Sequence, residues 1–167
     1  MKSVLSVIDA ISEWSGKIIS YVIPIVAALI LYDVIMRYVF HSPSAWAGET
    51  YIYLCAILYL ISGAYVLLHR AHVSMDMLYQ RFSIRTRAII DLVTFPIFFL
   101  VCGSLIWIGS KFFWSSWLMK ETTISVWAPP IYPMKFVIPL GAFLMLLQGL
   151  AGFARNIHVA VRGKELS

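Results

Sequence analysis

Four runs of apolar residues, each long enough to cross a lipid bilayer, restrict this chain to very few folds. Crossing a hydrocarbon layer of roughly 30 Å takes about 20 helical residues. The runs cover approximately residues 18–38, 51–68, 88–110 and 136–153. Lipid offers the backbone no hydrogen-bond partner, so each run must be helical. The sequence therefore predicts an all-α integral membrane protein with four transmembrane helices, in a single membrane domain over residues 1–167.

The scarcity of charged residues supports the same fold class. Only 13% of the residues are charged and 61% are hydrophobic, whereas soluble domains have about 25% charged residues. The net charge of +5 comes from basic residues beside the apolar runs, which suits contact with anionic lipid headgroups. No basic face exists apart from the membrane segments, so we expect membrane lipids, and no nucleic acid, as partners.

The basic residues also predict an orientation. With four spans, one side of the membrane holds the N-terminal segment, the second connection and the tail. The basic residues of that side are Lys2, Lys17, Arg70, Arg81, Arg85, Arg87, Arg155, Arg162 and Lys164. Those of the other side are Arg37, Lys111, Lys120 and Lys135. Because the richer side faces the cytoplasm, we expect a bacterial inner-membrane protein with both termini cytoplasmic.

Two shorter segments have the pattern of amphipathic surface helices. Between Val4 and Trp14, apolar residues recur at helical spacing while charged residues fall elsewhere around the helix. A second segment, Val73–Phe82, joins spans two and three, and Ser83 is a suitable N-cap for the third span. We expect these segments to lie on the membrane surface.

The last connection, from Lys111 to Lys135, is rich in aromatic residues and proline. Aromatic rings with polar groups favour the membrane–water interface. Pro129, Pro130 and Pro133 prevent the connection from continuing either neighbouring helix. The simplest interpretation is an aromatic belt that seats this loop on the bilayer.

Charged side chains near the span ends are the first candidates for a functional site. Asp33 and Arg37 are one helical turn apart near the outer end of span one, where they can pair with each other or with Glu49. A charge inside a span is costly unless it is paired. We expect a structural ion pair, and the alternative is a proton or substrate site.

Histidines raise a different possibility, a membrane anchor subunit that binds haem or quinone in a redox complex. His69, His72 and His158 lie near span ends, but haem ligation needs two imidazoles at matching depth on facing helices. Cys55 and Cys102 lie inside apolar runs and lack metal-ligand spacing. We therefore expect no metal site, no bound cofactor, no catalytic residue and no enzymatic activity.

Short motifs in a fixed order at the span ends resemble a known family. They are RYVF at 37–40, SAWAGE at 44–49, GAY at 63–65, RAHVSMD at 70–76 and IPLG at 138–141. Through this series the chain resembles, over nearly its whole length, the small membrane subunit of tripartite ATP-independent periplasmic (TRAP) transporters, the DctQ type.

The resemblance implies a transport role that depends on partners. Such systems take up organic acids by symport with an ion, usually sodium. A periplasmic substrate-binding protein delivers the substrate to a large multi-span membrane subunit, which carries the translocation path, and the small subunit packs beside it. The spans here also lack the interrupted helix pair that a secondary transporter needs. A self-sufficient exporter using Asp33 is a third possibility, which the arginine one turn away disfavours.

Charged residues at the span ends are expected to serve structure and assembly, because charges there can pair and anchor loops at modest cost. They are Arg37, Glu49, Arg70, His72 and Asp76. Small residues in the spans, including Gly63, Gly103 and Gly141, would let the helices pack closely against a partner.

The aromatic connection is also a candidate docking surface for the periplasmic binding protein. Aromatic anchors within a charged rim suit a transient protein interface. The candidate residues are Trp117, Lys120, Glu121, Trp127 and Lys135.

Overall fold

Helices make up nearly all of the chain where its structure is described. A computed structural model of the protein describes residues 2–69 and 84–162. The helices in these ranges are α1 (Lys2–Ser20), α2 (Val22–Tyr38), α3 (Ala47–Leu68), α4 (Ile84–Met119) and α5 (Tyr132–Arg162). The segment predicted as a second surface helix, residues 73–82, and the predicted N-cap of the third span at residue 83 lie outside the described ranges.

Four helical stretches are long and apolar enough to cross a membrane. They are Leu5–Tyr38, Ala47–Leu68, Leu92–Met119 and Tyr132–Ile157. The predicted all-α membrane fold with four spanning helices is therefore confirmed.

The helices α1 and α2 are nearly continuous. Pro24 has no N–H to donate to the carbonyl of Ser20, and its ring crowds that carbonyl, which accounts for the end of α1 at Ser20. Tyr21 nevertheless keeps right-handed helical angles (φ −66°, ψ −16°), and its N–H donates to the carbonyl of Ile18 at 3.3 Å. The chain kinks here without turning back, so α2 continues onward from α1.

The spanning helices lie side by side in a row. Their order is α2, α3, α5 and α4, and α1 packs on the ends of α3 and α5. The most extensive packing joins α4 to α5, and α5 is the most buried of the spanning helices. At the edge of the row α2 packs mainly against α3 and buries Val26 and Asp33. Most of the apolar surface of α2 therefore faces away from the chain.

Two glycines set the close approach of α3 and α5. A Cβ at Gly141 would lie 2.6 Å from the carbonyl oxygen of Leu60, and a Cβ at Gly63 would lie 2.7 Å from the Sδ of Met145. Small residues allow such close contact between helices in lipid. Gly63 and Gly141 therefore serve packing within the chain, and are not free for the partner contact that the sequence suggested. Gly103 remains open, because apart from its own turn of helix no heavy atom of the described residues lies within 4 Å of its Cβ position.

The α4–α5 connection is shorter than the sequence indicated. Instead of ending near residue 110, α4 continues to Met119, and α5 begins at Tyr132. Contacts between the two helices account for the extra turns of α4, because the ring of Trp117 meets that of Tyr132 at 5.0 Å and the ring of Phe113 meets that of Phe136 at 5.1 Å. The true loop is therefore residues 120–131, and Trp117 and Lys135 of the predicted docking set lie on helices.

Candidate functional site

Polar side chains of the described residues gather at the two ends of the helix row. The first, here called the loop end, carries the α2–α3 and α4–α5 connections. The second, called the α1 end, is where α1 packs on the last turns of α3 and the second half of α5. Each end has its own network of hydrogen bonds and ion pairs.

At the loop end, Asp33 is buried and fully engaged. Its Oδ2 accepts a hydrogen bond from Arg37 Nη2 at 3.0 Å, and its Oδ1 accepts one from Ser44 Oγ at 3.2 Å. Ser44 lies in the connection between α2 and α3, so the carboxylate ties this loop to the last turns of α2. Of the two partners that the sequence allowed for Arg37, the structure places Asp33 in contact. The arrangement neutralises a buried charge, as a structural pair requires.

Glu49 joins the start of α3 to the distant loop. Thr123 donates a hydrogen bond from its Oγ1 to Glu49 Oε2 at 3.1 Å, and the same hydroxyl lies 3.0 Å from Ser125 Oγ. The carboxylate also lies in the first turn of α3, where the helix dipole favours a negative charge. Glu49 therefore anchors the α4–α5 loop on α3.

The α4–α5 loop is closed by backbone hydrogen bonds into a small hairpin. The N–H of Thr123 donates to the carbonyl of Pro129 at 3.1 Å, and the N–H of Ile131 donates to the carbonyl of Glu121 at 2.9 Å. Glu121 Oε2 also accepts hydrogen bonds from Lys135 Nζ at 2.5 Å and from Ser116 Oγ at 2.7 Å. The bonds from Lys135 and Ser116 lower the pKa of the Glu121 carboxyl below its ordinary value of 4.5. This loop is a fixed structural element.

The tip of the hairpin is apolar and projects from the chain. Ile124 and Val126 are fully exposed, and Trp127 is about half exposed. Lys120 is exposed at the base of the hairpin, where its backbone is left-handed (φ 47°). Among the predicted docking residues, Lys120, Trp127 and Trp117 are thus accessible, although the Trp117 ring also contacts Tyr132. Glu121 and Lys135 instead form an ion pair with each other.

A buried polar network at the α1 end was not predicted from the sequence. Ser12 donates from its Oγ to Gln148 Oε1 at 2.9 Å, and both side chains are buried. Gln148 Nε2 donates to Asp9 Oδ1 at 3.1 Å, and the guanidinium of Arg155 pairs with Asp9 Oδ2. The only signal in the sequence was an amide side chain inside an apolar run, which gives no indication of its partner.

The same end of the row joins α1 to α3. Glu13 bonds Lys17 at 3.1 Å and the Nε2 of His69 at 3.0 Å, and the Gly16 backbone packs directly on the Tyr65 ring. Together with the Ser12 and Asp9 contacts, these interactions fix α1 against two spanning helices. They leave α1 no freedom to lie as an independent surface helix, although its depth in the bilayer stays a prediction.

The described histidines do not form a ligand pair. His69 contacts Glu13 and the ring of Tyr65 at the α1 end, whereas His41 follows α2 at the loop end. Among the described side chains, no three from His, Cys, Asp and Glu come together in a group that could hold a metal ion.

Three of the predicted assembly residues cannot be placed. Arg70, His72 and Asp76 lie outside the described residues, and the side chain of His158 does too. Of the assembly set, Arg37 and Glu49 are therefore the two with known contacts, and both lie at the loop end.

Comparison with known proteins identifies one family. The family model described as "Tripartite ATP-independent periplasmic transporters, DctQ component" matches residues 26–159, which include α3, α4, the α4–α5 loop and most of α2 and α5. No curated protein matches the chain.

Proposed function

The chain belongs to the family of DctQ components of tripartite ATP-independent periplasmic transporters, and we propose that it is a membrane subunit that scaffolds the large membrane subunit without itself translocating substrate. The system that it serves takes up organic acids by symport with an ion. The family forms a tripartite system with a large membrane component and a periplasmic binding component. The organic-acid substrate, the symport with an ion and the division of work within that system are the parts that we propose.

The observation that carries this proposal is that the described carboxylates are all engaged inside the chain. Asp33 accepts hydrogen bonds from Arg37 and Ser44. Glu49 accepts one from Thr123, and Glu121 accepts one from Lys135. The carboxylates of the α1 end are likewise paired. A transport site for an ion or a carboxylic acid needs polar groups that are free to exchange partners. Carboxylates that are already paired within the chain therefore favour a structural role for these residues.

The shape of the described chain suits a scaffold. The row of helices exposes apolar side chains on both of its faces. The hairpin loop and α1 are each attached to the row by hydrogen bonds. Such a layer offers a broad apolar surface to a neighbour. A transport domain that moves during its cycle needs a fixed element to move against, which this layer would provide.

The orientation belongs to the proposal. The basic residues predict a bacterial inner-membrane protein with both termini in the cytoplasm, so that the loop end faces the periplasm. Single cysteines in a variant without Cys55 and Cys102 provide the test. A membrane-impermeant maleimide added outside should label cysteine at Ser42 or Ile124, which are exposed, and should not label cysteine at Ala10. Labelling of Ala10 alone would reverse the orientation.

The hairpin tip is then the surface that we propose for docking of the periplasmic binding protein. It joins exposed apolar residues to the nearby cation of Lys120, a combination common in transient interfaces. The alternative is an aromatic belt that seats the loop on the bilayer.

Reconstitution tests the central claim. The purified chain in liposomes, with a sodium gradient and a panel of radiolabelled carboxylic acids, should show no uptake above empty liposomes. Co-expression with the large membrane subunit of the same transporter should give a complex that purifies through a tag on the small chain. Uptake by this chain alone, or failure of the two subunits to co-purify, would contradict the proposal.

A further inference from the structure

Lys111 differs from the other basic residues of the four spanning stretches. Each of the others pairs with an acidic side chain of its own chain; they are Lys17, Arg37, Lys135 and Arg155. Among the described residues Lys111 has no such partner. It is exposed, and it lies away from the side of α4 whose Gly109 and Phe113 pack on α5. Because a charge within a span is costly unless it is paired, an anionic partner from outside the chain is indicated.

The ammonium group of Lys111 lies over the ring of Trp107. Its Nζ is 4.9 Å from the ring centroid, so the side chain runs along α4 toward the α1 end. A lysine near the end of a span ordinarily extends to the nearest water layer, which here lies beyond Met119 at the loop end. Trp114 and Trp117 follow within two turns and are exposed, and such rings favour the membrane–water interface. Lys111 is therefore within reach of lipid headgroups, while its cation stays beside α4.

Two shallow clefts lie side by side along the exposed surface of α4, with Lys111 at one end. The cleft at that end has a volume of about 350 Å³, and its lining includes Lys111, Ser110 and Trp107. The second cleft, of about 540 Å³, extends as far as Phe99. Gly103 lines both clefts, and apart from its own turn of helix no heavy atom of the described residues lies within 4 Å of its Cβ position. Because Gly103 has no side chain to separate them, the clefts form one groove, called here the α4 groove.

The length and the polarity of the α4 groove match a phospholipid of one leaflet. From Lys111 to Phe99 the groove runs about 18 Å, at about 1.5 Å per helical residue, whereas one leaflet of hydrocarbon is about 15 Å deep. Near the loop end the lining is charged and polar, with Lys111 and Ser110. Toward the α1 end it is apolar, with Leu100 and Phe99. A phospholipid presents its phosphate and then its acyl chains in the same order.

We propose that the α4 groove binds an anionic phospholipid of the leaflet at the loop end, with the phosphate on Lys111 and an acyl chain across Gly103. Charge complementarity is the reason for this occupant, because a lysine ammonium donates charge-assisted hydrogen bonds to phosphate oxygens. The carboxylates of the loop end do not compete for it, since Asp33, Glu49 and Glu121 have partners of their own. A zwitterionic headgroup would bring a second ammonium group beside the first. Lipid binding of this kind does not depend on the proposed transport role.

Native mass spectrometry of the full chain tests both the cation and the groove. The protein, released from one detergent throughout, is titrated with phosphatidylglycerol or with phosphatidylethanolamine that carries the same acyl chains. Lys111→Gln removes the cation, and its control is Lys120→Gln, at an exposed lysine outside the spans. Gly103→Leu fills the groove, and its control is Gly152→Leu, at a position whose Cβ would likewise meet no neighbour within 4 Å among the described residues beyond its own turn of helix.

The wild-type chain should bind phosphatidylglycerol about tenfold more tightly than phosphatidylethanolamine, as a hydrogen bond between charged groups allows. Lys111→Gln should lose this preference and Lys111→Arg should retain it, whereas Gly103→Leu should weaken the binding of both lipids. The two controls should behave as wild type. Equal affinity of wild type for the two lipids, an unchanged preference in Lys111→Gln, or unchanged binding by Gly103→Leu would overturn the proposal. Size exclusion shows which variants fold, and the lysine variants alone are decisive if Gly103→Leu does not.

Fluorescence quenching gives a second readout in a bilayer. The protein is placed in phosphatidylcholine vesicles with a small fraction of phosphatidylglycerol or phosphatidylethanolamine whose acyl chains carry bromine, which quenches tryptophan at short range. Quenching of Trp107, measured as the part lost in Trp107→Phe, should be severalfold greater with the brominated phosphatidylglycerol, and this difference should disappear in Lys111→Gln. Trp114, similarly exposed on the same helix but outside the groove, should be quenched equally by both. Equal quenching of Trp107 by the two lipids would identify ordinary surrounding lipid and overturn the proposal.

Discussion

The Gly141 backbone lies against the carbonyl oxygen of Leu60, so close that a Cβ at position 141 would stand 2.6 Å from that oxygen. The clash would be with backbone, which cannot rotate away as a side chain can. Gly141→Ala should therefore force α3 and α5 apart and lower the free energy of unfolding by about 1–3 kcal/mol, the usual cost of overpacking. Thermal unfolding of the detergent-solubilised protein measures the loss.

Gly152→Ala is the matched control for Gly141→Ala. Gly152 lies on the same helix, and apart from its own turn of helix no heavy atom of the described residues stands within 4 Å of its Cβ position. Alanine there should leave stability unchanged or raise it slightly, since alanine favours helix over glycine by about 1 kcal/mol. If both variants were equally stable, the close contact of α3 with α5 would not have the energetic weight assigned to it.

Arg37→Ala should destabilise the protein more than removal of the whole ion pair does. The single change leaves the buried Asp33 carboxylate with the Ser44 hydroxyl as its remaining partner, and an uncompensated buried charge costs several kcal/mol. The double variant Asp33→Asn/Arg37→Ala removes that charge and should recover part of the loss. The amount of monodisperse protein after heating, measured by size exclusion, provides the comparison. A double variant worse than the single one would count against a structural pair.

Gln148→Leu should loosen α1 without unfolding the spanning helices. The change removes the hydrogen-bond partner of buried Ser12 and one of the two partners of Asp9. Leaving a buried hydroxyl unpaired costs about 1–3 kcal/mol, and here that cost falls on the α1 contact. Hydrogen exchange should then rise in α1 while α3 keeps its protection. Ser104→Ala, which removes an exposed hydroxyl bonded only within its own helix, should change neither.

Hydropathy alone was enough to predict the spanning helices, because the lipid solvent imposes length and composition on each of them. The extent of α4 could not be predicted in this way. Its last turns are rich in tryptophan and lead to prolines, a composition typical of a loop. What keeps them helical is the contact of the Phe113 and Trp117 rings with the rings of Phe136 and Tyr132 near the start of α5, a tertiary contact that no local pattern shows.

The contacts at the candidate sites were likewise predictable where they are local in sequence, and not where they join distant residues. The pair Asp33–Arg37 was predictable because both residues lie on one helix at a spacing of four. The contacts of Gln148 and of Glu49 join residues far apart in the chain, so the sequence showed each polar side chain but not its partner.

The Glu121–Lys135 pair predicts how the hairpin responds to acid. The Glu121 carboxyl has a lowered pKa because Lys135 and Ser116 bond its charged form, so the pair contributes stability above about pH 4.5 and loses it as the pH falls through the lowered value. A fluorophore on cysteine at Ile124 should therefore report a constant hairpin between about pH 8 and 5, and opening only in stronger acid. In Glu121→Gln this acid transition should disappear, whereas Glu49→Gln should retain it.

Changes at the hairpin tip decide between docking and a bilayer belt. Ile124→Ser and Val126→Ser remove apolar side chains that touch nothing in the chain, so the fold and the assembled complex should be unaffected. If the tip docks the binding protein, the double variant should need a severalfold higher concentration of that protein for half-maximal uptake, because interface anchors act mainly by slowing dissociation. The maximal rate at saturating binding protein should stay near wild type.

A belt predicts a different result for the same variant. Apolar side chains at the tip would contribute to seating the loop in the membrane, so their loss would lower the amount of protein in the membrane and leave the dependence on binding-protein concentration unchanged. Lys120→Glu adds a second criterion: it reverses the nearby charge that would steer a soluble partner, and the effect should weaken as salt screens it. Uptake that is insensitive to both changes at every binding-protein concentration would leave only the belt, and the binding protein would then have to dock on the large subunit alone.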